Sequence, residues 1–150
     1  MPILAQTLHR VAALALAMAF AASAHAADIG QIKVAKGEVS IERNGQTMSA
    51  GVGTRLQAAD VLKTGADGSV GVTMSDNSLL SAGPNSILTL DRYDFEATTS
   101  QGRFDASLQK GSLAVISGRI AKQSPDAMKV RTPTSVLGVR GTEFVVSADD

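Results

Sequence analysis

Short runs of alternating polar and apolar residues, separated by turn residues, dominate the chain. Residues 38–43 alternate in this way, and so do residues 69–75, where Val70, Val72 and Met74 fall on one face. A period of two is typical of a half-buried β-strand. Asn44-Gly45 lies between two such runs, and this dipeptide favours a type I′ turn because both of its positions accept positive φ. The pattern therefore predicts a β-hairpin around Asn44-Gly45.

The rest of the chain repeats this organisation at intervals of about 8–12 residues, which is typical of an all-β sandwich, barrel or solenoid. Turn clusters occur at 65–68, 76–77 and 83–86, and two polar stretches, 91–103 and 122–126, are predicted to be surface loops. Neither an amphipathic helix nor a linker between two domains is predicted. Further strands are predicted at 78–82, 87–90, 104–108, 112–116, 128–131 and 142–147. We therefore expect one all-β domain, a solenoid-like or barrel-like stack of short strands and hairpins.

The first 26 residues have the pattern of a cleavable secretory signal peptide. His9 and Arg10 precede an apolar run at 11–22, which is followed by the small-residue site Ala24-His25-Ala26. The run has about a dozen residues, whereas a membrane span needs roughly 20. An uncleaved anchor or a buried helix is the alternative. We predict cleavage after Ala26, which leaves residues 27–150 as the folded domain.

Composition excludes several classes of site in residues 27–150. Both histidines, His9 and His25, lie in the predicted signal peptide, and the chain has no cysteine. Nucleophilic sites built on histidine or cysteine, and zinc sites built on them, are therefore excluded. We expect no catalytic residues, no cofactor and no metal. The fold must also form in an oxidising compartment without a disulfide.

Charge argues against a nucleic-acid partner. The whole chain has 14 basic and 14 acidic residues, and Arg10 leaves with the signal peptide. The domain has no basic run, whereas nucleic-acid binding normally needs a positive patch for the phosphates.

One segment, 130–146, is more specific than the rest of the chain. It reads Val-Arg-Thr-Pro-Thr-Ser-Val-Leu-Gly-Val-Arg-Gly-Thr-Glu-Phe-Val-Val, and we call it the signature segment. Weaker matching patterns lie upstream, at Asp60-Val-Leu-Lys-Thr-Gly65, at Asp76-Asn77-Ser78 and at Gly83-Pro-Asn-Ser86. Together these motifs resemble the FecR domain family of bacterial extracytoplasmic proteins, over about residues 34–147. Ala59 and Asn77 stand where the family often has glycine.

The resemblance implies a β-rich recognition domain in the periplasm or outside the cell, in an envelope of the Gram-negative type. The best-known members are sensors that couple outer-membrane transporters to sigma-factor control, through a cytoplasmic domain and a membrane helix. This sequence has a predicted signal peptide and neither of those parts. We therefore expect a non-enzymatic module that recognises a protein of the periplasm or outer membrane and does not span the membrane after cleavage. The alternative is an envelope scaffold that binds cell-wall glycan.

The signature segment carries the candidate site, for which a structural role is preferred over a ligand site. Pro133 predicts a corner after the strand that ends at Arg131. Gly138 and Gly141 predict close backbone packing, and Val136, Val139 and Phe144 are predicted core residues. Arg140 is predicted to pair with Glu143 or to bind backbone carbonyls. The candidate residues are Thr132, Pro133, Gly138, Arg140, Gly141, Thr142, Glu143 and Phe144.

Two weaker hypotheses concern acidic residues. Paired carboxylates hydrolyse glycosides, and Asp91, Asp94, Glu96 and Asp105 lie near one another in sequence. A solvated polar loop is the favoured interpretation of that stretch. The two sequences Asp67-Gly-Ser69 and Asp76-Asn-Ser78 resemble calcium ligands only loosely, and turn chemistry is favoured there.

Overall fold

The computed structural model describes residues 25–139 and 143–149. Within them lie twelve strands, one short α-helix (α1, Arg119–Gln123) and one 3₁₀ turn (Pro125–Ala127). The strands are β1 (Gly30–Lys36), β2 (Val39–Arg43), β3 (Gln46–Ser49), β4 (Arg55–Leu56), β5 (Val61–Thr64), β6 (Ser69–Met74), β7 (Leu79–Ala82), β8 (Ile87–Glu96), β9 (Gln101–Ile116), β10 (Met128–Arg131), β11 (Val136–Gly138) and β12 (Glu143–Ala148).

All twelve strands belong to one sheet that curls into a half-barrel. Strand β9 joins its two halves. Residues 101–110 of β9 pair with β8 and β10, whereas residues 111–116 pair with β7 and β12. One half has the order β3-β2-β5-β8-β9-β10-β11, and the other has the order β4-β1-β6-β7-β9-β12. The predicted all-β single domain is confirmed.

Alternation along the strands places the apolar side chains inside the curl. In β6, Val70, Val72 and Met74 are at most 3% exposed, as the sequence pattern predicts. The inward residues of β8 and β9 meet at the centre, where the rings of Tyr93 and Phe104 pack edge to face with centroids 5.2 Å apart. Burial of these rows against each other is the main source of stability, since this chain has no disulfide.

Hairpin β2–β3 confirms the predicted Asn44-Gly45 turn. Arg43 pairs with Gln46 across a two-residue loop, and φ is +52° at Asn44 and +75° at Gly45. Both positions are left-handed, which is the geometry of a type I′ turn.

The predicted loop at 91–103 is wrong. Strand β8 continues to Glu96 and β9 begins at Gln101, so only residues 97–100 form the turn. Tyr93 and Phe95 alternate with polar residues and face inward, against the paired residues Phe104 and Gly102. Polar outward positions made this hairpin resemble a loop in the sequence.

Two further predictions are corrected. The strands predicted at 104–108 and 112–116 are one continuous strand, in which Gly111 has φ +92° at the junction of the two halves. The loop predicted at 122–126 is partly helical, because α1 and the 3₁₀ turn occupy most of it. Helix α1 is a single turn, too short for the amphipathic period to be visible in sequence.

No helix among the described residues has the length and apolar character needed to cross a membrane. Residues 1–24, which hold most of the predicted signal peptide, lie outside the described residues, and its cleavage stays a prediction.

Candidate recognition surface

The first part of the signature segment forms a surface hairpin, which we call the signature hairpin (residues 128–138). Strands β10 and β11 pair antiparallel, with Arg131 opposite Val136. Residues 132–135 form the turn, in which the Thr132 amide donates to the Ser135 carbonyl at 2.8 Å and the Ser135 amide donates to Thr132 Oγ1 at 3.1 Å. The corner predicted at Pro133 is thus confirmed, as the loop of a hairpin.

Most of this hairpin faces solvent. Val136 is 63% exposed, so its predicted core position is wrong. Leu137 is 37% exposed, whereas Val139 is buried as predicted. A Cβ added at Gly138 would meet nothing within 4 Å, so the predicted close packing at this glycine is also wrong. The tip of the signature hairpin therefore adds little to the core.

Strand β11 is also an edge of the sheet. Among the described strands it pairs with β10 alone, so its outer backbone groups face away from the sheet. An exposed edge with apolar side chains is a template for pairing with another chain. The hairpin thus offers an apolar, strand-shaped surface.

The second part of the signature segment is only partly described. Arg140, Gly141 and Thr142 lie outside the described residues, so the proposed Arg140–Glu143 pair stays a prediction. Glu143 and Phe144 begin strand β12, where Glu143 is exposed and Phe144 packs partly against the core. The core role predicted for Phe144 fits this placement.

Asp60 holds strand β2 to the start of β5, a role that the sequence pattern does not predict. Its side chain is 1% exposed and is bound by Arg43, whose Nε donates to Oδ1 at 2.8 Å and whose Nη2 donates to Oδ2 at 2.7 Å. The amide of Gln57 donates to Oδ2 at 2.8 Å. The pKa of Arg43 is raised, chiefly by its hydrogen bonds to Asp60. This two-point pairing ties strand β2 to the entry of β5.

Thr64 and Gly65, which end the Asp60–Gly65 motif, are also bound within the fold. Thr64 Oγ1 donates to the Gly83 carbonyl at 2.6 Å and accepts from the Ser86 amide at 2.9 Å. A Cβ at Gly65 would lie 2.9 Å from Glu38 Oε2. The Asp-x-x-x-Thr-Gly pattern is therefore explained by packing and hydrogen bonding inside the domain.

Asp76 occupies a second buried polar site, with 0% exposure. Its carboxylate accepts from the Ser78 amide and hydroxyl at 3.0 and 2.8 Å, and from the Ile120 amide at 3.1 Å. The Tyr93 hydroxyl lies 3.2 Å from Asp76 Oδ1 and accepts from the Asp76 amide at 2.8 Å. Burial, followed by the nearby Asp76 charge, raises the pKa of Tyr93. These contacts support the turn interpretation of Asp76-Asn77-Ser78 over a calcium site.

The acidic residues of the hydrolysis hypothesis lie on strands and have partners of their own. Asp94 accepts from Arg92 Nε, and Asp105 accepts from Arg103 Nε, each at 2.8 Å. Asp91 accepts from the Ser107 hydroxyl. A hydrogen bond from the Thr98 amide lowers the pKa of Glu96. A general acid needs a raised pKa, so this arrangement lends no support to hydrolysis.

Comparison with known proteins gives one match. The family model described as FecR protein matches residues 60–150. This region begins at the buried Asp60 and includes the signature segment. Searches of curated proteins and of solved structures returned no match.

Proposed function

The chain belongs to the FecR family, and from that premise we propose that it is a non-enzymatic recognition module of the cell envelope. FecR proteins have sensing and regulatory roles, and the domain suggests a module for signalling. The finer proposal is that this domain acts in the periplasm, or outside the cell, by binding a protein partner of the periplasm or outer membrane. The signal-peptide pattern of residues 1–26 supports that location.

One observation carries the proposal: the signature hairpin presents an apolar edge to solvent. Val136 and Leu137 lie on β11, which has a free outer edge among the described strands. A partner strand added to this edge would gain backbone hydrogen bonds, and the two side chains would set its specificity.

The test compares matched exposed positions. Val136→Lys changes the proposed edge, and Val52→Lys is its control, because Val52 is 69% exposed in a loop outside the hairpin. Leu137→Lys and Met48→Lys form a second pair, at 37% and 39% exposure. Each protein is cross-linked in intact cells and recovered from the envelope. We expect one protein in stoichiometric amount with the wild type and both controls, and its loss with both hairpin variants. Equal recovery by all variants would refute the role of the hairpin edge.

A binding assay on purified peptidoglycan, run beside the cross-linking, addresses the alternative, an envelope scaffold. Retention of the wild type on purified peptidoglycan, together with no cross-linked protein, would favour that function. Cell fractionation with mass measurement of the recovered protein tests the location, and we expect its first residue to be Ala27.

A further inference from the structure

The outer face of one half of the sheet is apolar and uncovered. Its strands, in spatial order, are β1, β6, β7, β9 and β12. Four large apolar side chains point outward there and are between 40% and 68% exposed: Val34, Leu79, Ile116 and Val145. No described element packs over them. We call this surface the outer face.

The middle of the outer face is a groove over small residues. Gly71, Ser81 and Ala114 follow one another across β6, β7 and β9 in a single cross-strand row. The groove above them has a volume of about 350 Å³. Small residues here leave room for another surface to approach closely, and stacked sheets lie about 10 Å apart.

The two ends of the outer face carry opposite charges. Lys33 lies on β1, the first of the five strands, at a shift of register between Ile32 and Val34, and Glu143 lies on β12, the last. Both line the groove. Lys33 Nζ donates to Gln31 Oε1 at 2.6 Å, and neither Lys33 nor Glu143 has an ion-pair partner among the described residues.

We propose that the outer face binds a second copy of this chain about a two-fold axis that runs along β7. Strand β7 is the middle strand, so this axis exchanges the two ends of the face. In a two-fold contact, a residue that meets a second one is itself met by that second residue in the other copy. Gln31 is the β1 residue in the same cross-strand row as Glu143. The Lys33 ammonium donates to Gln31 Oε1, so it then lies opposite Glu143 of the other copy.

The same two-fold rotation also pairs the uncharged residues of the outer face. Val34 faces Val145 of the second copy, and Gly71 faces Ala114. Leu79 lies on the axis and meets its own equivalent. Ile116 faces Thr73, which lies in the same row on β6. Three of the four large apolar groups therefore meet one another, small groups meet small groups, and opposite charges meet at both rims, as a self-complementary interface requires.

The area of the outer face indicates how tightly the two copies should bind. Five strands span about 24 Å and three rows of side chains about 17 Å, at the usual sheet spacings. A standard interface buries about 800 Å² on each partner, and this face lies below that size. We therefore expect a weak dimer that forms with rising protein concentration.

Charge reversal tests the contact directly. The protein, as the cell processes it, is studied by sedimentation velocity over a wide concentration range. We expect Lys33→Glu and Glu143→Lys each to raise the dimer dissociation constant at least about tenfold, because each change turns two rim attractions into repulsions. Both side chains are exposed, so each variant should fold, and circular dichroism is used to check this.

Mixing the two single variants supplies the decisive measurement. In a mixed pair, both rims again join opposite charges, so we expect the dimer to return to about the wild-type dissociation constant. The double variant, with both changes in one chain, should also dimerise. A wild type that stays monomeric throughout, or a dimer that the single variants leave intact, would overturn the proposal. The second result would be expected if two copies joined through the outer edge of β12, which no described strand pairs with. Binding of a different protein at the signature hairpin does not affect this outcome, so the proposed function is tested separately.

Discussion

Arg43→Ala provides the sharpest test of how the domain is held together. The substitution removes both donors from the carboxylate of Asp60, which is 1% exposed, and leaves it the amide of Gln57. Breaking a buried ion pair costs about 3–5 kcal/mol, because an uncompensated charge remains inside. Arg43 itself is 23% exposed, so water can partly replace it. We therefore expect a loss of about 2–4 kcal/mol in the free energy of unfolding.

The assay is urea unfolding followed by circular dichroism, with two comparisons. Lys63→Met removes an exposed pair with Glu42 of similar length, 2.7 Å, and should cost less than about 1 kcal/mol. The double variant Arg43→Met with Asp60→Leu removes both charges together and should be more stable than Arg43→Ala alone. A loss from Arg43→Ala no larger than that from Lys63→Met would refute the reasoning.

Three further predictions concern turns and the buried tyrosine. Ala59→Gly should stabilise the fold by about 0.5–1 kcal/mol, because φ is +71° there and alanine is strained in the left-handed region. Asn77→Gly, at φ +67°, should change stability little because asparagine tolerates this region. Equal effects of the two substitutions in thermal unfolding would contradict the argument. Gly111→Ala should cost more than about 2 kcal/mol, since its Cβ would lie 2.5 Å from the Ser86 Cα, whereas Gly138→Ala should be nearly neutral in the same urea assay. Tyr93 is the sole tyrosine, and its raised pKa favours the protonated form in the fold, so its contribution to stability should be fully present below about pH 10 and be lost as pH rises above it. Tyrosinate absorbance at 295 nm should appear together with loss of the β-sheet signal, and its appearance near pH 10 with the fold intact would show that Tyr93 is not held as described.

Local patterns predict the parts of the fold that local chemistry controls. Alternation identifies β6 and its buried face, and Asn44-Gly45 identifies the first hairpin, because turn geometry depends on two adjacent residues. The FecR motifs identify the family, which the family-model match confirms. The same patterns do not reveal Asp60 as a buried residue, since its partner Arg43 lies 17 positions away in sequence.

The candidate recognition surface also combines features that local patterns predict with features that depend on distant contacts. The sequence singles out residues 130–146, but alternation is identical whether an apolar row faces the core or solvent, so the sequence places Val136 inside. Its exposure follows from the position of β11 at the edge of the sheet, which depends on the parallel pairing of β10 with β9.

The sequence by itself determined the all-β class, the family and the absence of cysteine, because these depend on composition and short-range pattern. The tertiary structure alone decided that β8 and β9 form one long hairpin, that β9 joins two halves at Gly111, and that the signature hairpin faces solvent. These features depend on pairing between strands far apart in sequence. Bringing such strands together costs conformational entropy, and this cost is offset only when whole rows of side chains are buried together.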